Sequence, residues 1–171
     1  MRAFITSCIS ALLCAACAPA PEADAPLPPL ALPLLGATGE VHLADFCGRV
    51  LHIELWGSWC GPCVESMAAA DRLRASLPRE DFEVIGISLD PQSEAAAAFL
   101  DRHRVEFSNA WDEARVVQDL FHVDGVPTAI LVDRHGRVRE RFNGFNARQD
   151  EALRDAVRDL VEEDGAACPG A

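Results

Sequence analysis

The sequence predicts an α/β sandwich of three layers. Nearly apolar runs of strand length alternate with segments of helical spacing. Two late strand patterns then flank a tight turn, and an amphipathic helix follows them. Strands alternating with helices, closed by a hairpin and a helix, pack most simply as helical layers against a central sheet.

The elements follow in order. Glu40–Leu43 is a short strand candidate. Val50–Trp56 (Val-Leu-His-Ile-Glu-Leu-Trp) is nearly apolar throughout, as a strand covered on both faces must be. Residues 62–77 read as a helix with Val64, Met67, Ala68, Ala70, Leu73 and Leu77 at helical spacing, and Pro78 ends it. Phe82–Leu89 is the next strand. Asp90-Pro91 reads as an N-cap with proline at the first helical position, opening a helix to about His103. Phe107–Trp111 is a short strand, and Asp112 is placed to cap a helix over Glu113–Phe121. Thr128–Val132 and Val138–Phe142 flank Asp133-Arg134-His135-Gly136, a hairpin turn. Asn146 with Gln149 forms a capping-box-like start for the last helix, whose inner stripe is Leu153, Ala156, Val157, Leu160 and Val161.

A chain of 171 residues, 50% of them hydrophobic, has enough apolar side chains for the core of one domain. It shows no internal repeat, which excludes solenoids. Its net charge of −12 repels phosphate backbones, so no nucleic-acid partner is expected.

The first residues read as an address. Met1-Arg2 precedes an uncharged run from Phe4 to Ala16, too short to span a bilayer, which needs about 20 residues. A basic start, a short apolar run and small residues make residues 1–16 a secretory signal. Leu13-Cys14-Ala15-Ala16-Cys17 resembles the lipobox of bacterial lipoproteins, which implies cleavage before Cys17 and lipidation of that residue. Cleavage after Ala18 or Ala20, giving a soluble periplasmic or secreted protein, is the alternative. Residues 17–35 then form the lipidation site and a proline-rich tether with no secondary structure expected. Residues 36–165 form the folded domain, and 166–171 a C-terminal tail.

Of seven cysteines, two form a tight pair, Cys60 and Cys63, at a strand-to-helix junction. A helix N-terminus favours the thiolate of the first cysteine. Cys60 is therefore the expected nucleophile, and Cys63, one turn on, is near enough to resolve a mixed disulfide. A zinc site needs four ligands. One cysteine pair and five histidines (42, 52, 103, 122, 135) without paired spacing do not supply them, so no metal and no cofactor beyond the Cys60–Cys63 couple is expected.

Glu54-Leu-Trp-Gly-Ser-Trp-Cys-Gly-Pro-Cys63 resembles the active-site segment of thioredoxins, and Gly125-Val126-Pro127-Thr128 resembles their cis-proline loop. Over residues 36–163 the wider pattern is similar to TlpA/ResA-type membrane-anchored thiol-disulfide reductases. It runs through Gly39, Leu43-Ala44-Asp45 and Gly48 before the first core strand, and Asp133 and Gly136 after the loop. The resemblance implies a thioredoxin-like fold with a central mixed sheet and an N-terminal extension. It implies redox roles for Cys60 and Cys63, a cis peptide at Pro127, and substrate contacts at Trp59, Val126 and Pro127, with substrate backbone pairing at Val126 as an added strand. Two positions depart from the pattern: Ser66 stands where the family commonly has glutamate, and Ala68 where it commonly has proline.

Glu54 occupies the place of thioredoxin's buried acid, six residues before Cys60, where these relatives often carry asparagine. Burial there disfavours the charged form, and the carboxylate is placed to take the proton of Cys63. His52, two residues earlier on the same strand face, is placed to modulate Glu54, but reads first as a partly exposed strand-end histidine.

The implied function is extracytoplasmic disulfide reduction of the cytochrome c maturation type. Oxidised proteins are the acceptors, a membrane thiol carrier is the electron donor, and the lipid anchor holds the domain on the periplasmic side. The Gly-Pro dipeptide between the cysteines matches thioredoxin, whose potential is roughly −270 mV against about −120 mV for strongly oxidising relatives. A peroxiredoxin-like peroxidase would want a threonine three residues before its peroxidatic cysteine, where this chain has Gly57. A copper-handling protein of the same fold would want three residues between the cysteines and a partner histidine. Cys47 and Cys168 stand apart from the redox pair. They are either a structural disulfide pinning the tail or two unpaired thiols.

Overall fold

The computed structural model describes residues 26–163. In chain order the elements are β1 (Ala31–Pro33), β2 (Glu40–His42), a 3-10 turn (Leu43–Phe46), β3 (Val50–Trp56), α1 (Cys63–Ala75), β4 (Phe82–Ser88), α2 (Ser93–His103), β5 (Ser108–Trp111), α3 (Val116–Leu120), β6 (Thr128–Val132), β7 (Val138–Asn143) and α4 (Ala147–Glu162). The main sheet has the order β5-β4-β3-β6-β7. β3 pairs parallel with β4 and antiparallel with β6, so the sheet is mixed, as expected.

All seven residues of β3 are buried, and so are all seven of β4. Their near-continuous apolar sequence reflects layers on both sides. On one side, Val50 and Trp56 of β3 share a core cluster with Cys63, Met67 and Leu73 of α1, Phe99 of α2 and Val157 of α4. On the other, Leu51, Ile53 and Leu55 join Val117 of α3, Phe121, and Leu32 and Val41 of the β1–β2 ribbon. The odd and even positions of β3 thus serve opposite cores.

Several local signals hold. Asn146 accepts from the backbone N–H of Arg148 and Gln149, the N-cap the sequence announced. Asp133 Oδ1 accepts from His135 and Arg137 N–H in the β6–β7 turn, and Gly136 supplies the positive φ of 73° there. Asp112 accepts from Val116 and Val117 N–H, although the helix it caps begins at Val116 rather than at Glu113.

Three expectations fail. The proline-rich stretch is structured from residue 26. Ala31–Pro33 pairs antiparallel with Glu40–His42, Leu27 N–H donates to Gly136 O at 2.6 Å, and Leu35 N–H to Asn109 O at 2.7 Å. Leu32, only 6% exposed, anchors this segment in the core, so the folded unit begins about ten residues before residue 36. Proline suits such an edge ribbon because the ladder there leaves one row of N–H groups unused. Nor does Asp90 cap α2. That helix starts at Ser93 after Gln92, which makes no side-chain cap, and the Asp90 carboxylate turns elsewhere. His52 is also not partly exposed: its exposure is 2%.

The β4–β5 contact contains a tight polar knot. Trp56 Nε1–H donates to Asn109 Oδ1 at 2.9 Å, and Asn109 Nδ2–H donates to Phe107 O at 2.8 Å. Asn109 is paired in register with Gly86. A Cβ on Gly86 would lie 1.9 Å from Asn109 Oδ1 and 3.0 Å from the Phe107 ring. Gly86→Ala is therefore expected to expel Asn109, strand the Trp56 N–H, and cost about 1–3 kcal/mol of stability. A urea midpoint equal to that of the parent chain would refute this account of Gly86.

Candidate functional site

The sequence-predicted redox pair sits where β3 gives way to α1. Cys60 and Cys63 form a disulfide with Cα atoms 5.4 Å apart. The turn between them is closed by Cys63 N–H donating to Cys60 O at 3.2 Å, and Pro62 occupies the residue before the helix. The N-terminus of α1 has no side-chain cap, and its dipole is directed at the turn holding the first sulfur. Cys63 is fully buried and Cys60 is 6% exposed. An incoming thiolate can reach only Cys60.

The loop before Cys60 is held from across the sheet. Asp90, 1% exposed, accepts from Ser58 N–H at 2.9 Å, Ser58 Oγ–H at 2.6 Å and Ser88 Oγ–H at 2.8 Å. Its own carbonyl accepts from Trp111 Nε1–H at 2.8 Å. Trp59 projects outward, 61% exposed, with its indole lying across Gly57: a Cβ at Gly57 would meet the ring at 2.7 Å.

The peptide Val126–Pro127 is cis. Thr128 Oγ1–H donates to Gly125 O, and Gly144 N–H donates to Pro127 O, both at 2.8 Å. Pro127 is buried and Val126 half-buried, packed against the core cluster that contains both cysteines.

Beneath this surface Glu54 is 2% exposed. It shares a cavity of about 20 Å³ with His52, Ser66 of α1, Pro127, and Gln149 and Asp150 of α4. Ser66 lies one helical turn past Cys63 and donates its hydroxyl to Cys63 O at 3.2 Å. Glu65 is exposed and does not enter the cavity. The structure thus gathers Glu54, Ser66 and Pro127 around one space, which Ser66 links to the cysteine pair through its bond to Cys63 O.

Sequence reasoning missed one site residue and misjudged the burial of another. Asp90 read as a helix cap because Asp-Pro is a strong local signal, and its true donor Ser58 is 32 residues away. His52 read as a strand end, yet it is hydrogen-bonded to Glu54 inside the protein. The alternation of β3 carried that signal, since positions two apart share a face. Cys47 is half-buried and disulfide-bonded. Cys168 and Cys17 lie outside the described residues, as does the signal segment. Among the described residues no helix is long and apolar enough to cross a membrane, and no three His, Cys, Asp or Glu side chains are grouped to hold a metal ion.

Comparison with known proteins agrees with this geometry. The sequence pattern of the AhpC/TSA family matches residues 18–141. The thiol-disulfide oxidoreductase ResA of Bacillus thuringiensis (strain Al Hakam) is 26% identical over 110 residues, and the match covers 64% of this chain and 64% of that protein. The chain therefore matches somewhat less than two thirds of the length of its curated relative. A structure from Chlorobium tepidum, named thiol:disulfide interchange protein DsbE, superposes with a TM-score of 0.78 at 34% identity, covering 82% of this chain and 98% of that one. A thiol-disulfide isomerase from Corynebacterium glutamicum, 24% identical with a TM-score of 0.70 over 80% of this chain and 97% of that one, shares the fold. The fold is thioredoxin-like, with the expected mixed sheet.

Asp90 is the residue on which the active-site loop hangs. Asp90→Ala removes the acceptor of three hydrogen bonds to a buried carboxylate, and is expected to lower stability of the oxidised protein by about 2–4 kcal/mol. Chemical denaturation of the two proteins measures this directly. A loss below about half a kcal/mol, the range of an ordinary surface substitution, would mean the loop is held by something else.

Proposed function

Because this chain belongs to the AhpC/TSA family, we propose that it is a thiol-disulfide oxidoreductase of the ResA/DsbE type that reduces protein disulfides through the Cys60–Cys63 dithiol. The observation that carries the reading is the asymmetric burial of the pair, with Cys60 alone reachable at the end of β3 and Cys63 sealed beneath it.

The chemistry follows from that arrangement. In the reduced protein the Cys60 thiolate attacks one sulfur of a substrate disulfide. That S–S bond breaks, and its electron pair leaves on the second substrate sulfur, which takes up a proton. Cys63 then gives its proton to the Glu54 carboxylate, and its thiolate attacks Cys60 Sγ. The Cys60–Cys63 bond forms, the bond from Cys60 to substrate breaks, and the released substrate sulfur is protonated. Two electrons pass from protein to substrate; solvent supplies the protons of both substrate sulfurs, Glu54 gives the proton it took from Cys63 back to solvent, and a membrane thiol donor restores the dithiol. Extended substrate lies along Val126 and Pro127, with Trp59 as the exposed apolar contact.

The peroxidase alternative fits less well. The threonine it wants at position 57 would place a side chain where the Trp59 indole lies.

We place the domain outside the cytoplasm, held to the membrane by a lipid on Cys17, with cytochrome c maturation as the class of work. The signal-like run and the lipobox-like sequence support this reading. Cys168 is the partner we assign to Cys47. Cys60 and Cys63 bond each other, and the other three cysteines fall within the segment read as signal and lipidation site.

Two experiments test the proposal. In insulin reduction with dithiothreitol, the parent chain should produce turbidity and Cys60→Ser none. Cys63→Ser should trap a mixed disulfide, and Glu54→Gln should slow resolution roughly 100-fold while leaving the first attack intact. Peroxide consumption without insulin reduction would replace this reading with the peroxidase. For the anchor, Cys17→Ser should leave the membrane fraction and lose the lipid mass, and an unchanged fraction and mass would defeat lipidation.

A further inference from the structure

We propose that His52 is a positioning residue for Glu54, holding the carboxylate so that one defined oxygen receives the Cys63 proton. The inference rests on the role given to Glu54 above and adds a residue to it.

His52 Nε2 and Glu54 Oε2 are 2.9 Å apart, in side chains that are each 2% exposed. The two stand at alternate positions of β3, so both point to the face that carries α1 and α4. Their neighbours in register offer no competing partner. His52 lies between Val84 of β4 and Leu131 of β6, and Glu54 between Gly86 and Ala129. From α1 the facing groups are Ser66, Ala69 and Ala70. From α4 the one titratable group is Asp150, which is ion-paired with Arg154 at 2.9 Å.

A carboxylate on a buried strand retains rotation about its side-chain bonds unless something fixes it. His52 supplies that constraint by donating Nε2–H to Oε2. Oε1 makes no hydrogen bond and is fully buried. It belongs to a residue bordering the same cavity as Pro127 and Ser66, whose hydroxyl donates to Cys63 O. Oε1 is therefore the oxygen left to accept the proton. Misplacing a catalytic group by about 1 Å can cost on the order of 100-fold in rate, so a fixed carboxylate matters even though His52 touches neither sulfur.

Dithiobis(nitrobenzoate) separates the two steps. Reaction with the reduced protein releases one coloured thiolate when Cys60 attacks and a second when Cys63 resolves the adduct. His52→Asn and His52→Gln differ by one methylene, and the longer side chain places an amide N–H where Nε2–H stood. The Asn variant is expected to resolve about ten-fold more slowly than the parent chain, with the first release unchanged. The Gln variant is expected to recover resolution to within about two- to three-fold. In a Glu54→Gln background, His52→Asn should add nothing, because the group it positions is gone. The inference is overturned if the Asn variant resolves at the parental rate, if Gln is as slow as Asn, or if the two losses multiply. Parental resolution by Glu54→Gln alone would instead overturn the role of Glu54 itself.

Discussion

The site depends on the burial of an ionisable side chain in the middle of the central strand. β3 is closed to water along its whole length, and a carboxylate there must find its partners inside the protein or carry a large desolvation cost. Glu54 finds one in His52 and leaves one oxygen unpaired. The cysteine helix starts at the end of the same strand, and Pro127 and Ser66 close the cavity beside it. Replacing the pair by apolar residues would remove this cost together with the group proposed to take the Cys63 proton.

What the sequence made legible was local. The N-cap at Asn146, the turn at Asp133–Gly136 and the spans of β3 and β6 are decided by residues within a few positions of one another, and each appears where the pattern placed it. The redox pair was legible for the same reason, since strand, turn and helix start are contiguous. The misreading of Asp90 arose because its partner is remote. Asp90 has every local mark of a cap, but Ser58 offers two donors from 32 residues away. A buried carboxylate with three donors outweighs an exposed helix start. His52 was misread because strand ends are usually wet, whereas β1, β2 and α4 cover this end of the sheet on both sides.

The proline-rich segment shows the same conflict between composition and tertiary context. Alanine, proline and leucine in that mixture suggest an extended spacer. Extended is correct, but the segment is not free of the domain. Leu32 buries its side chain, and the backbone around it pairs with β2, with Ala110 and with Arg137. An extended chain with one well-placed leucine is what an edge ribbon needs, and proline there limits pairing with further strands.

The difference in burial between the two cysteines also fixes the order of the chemistry. Cys63 at zero exposure cannot meet a protein disulfide. It reacts only with a sulfur already bonded to Cys60, so release of product is an internal event. On the proposed mechanism, internal steps are governed by groups the solvent does not reach, and first attack by groups that it does: Trp59, Val126 and the half-turn before α1. The protein thus divides recognition from release between two surfaces of one disulfide, the outer one shaped by loops and the inner one by the central strand. Asp90 joins them, because the carboxylate that pins Ser58 sits at the end of β4, beside the strand that carries Glu54.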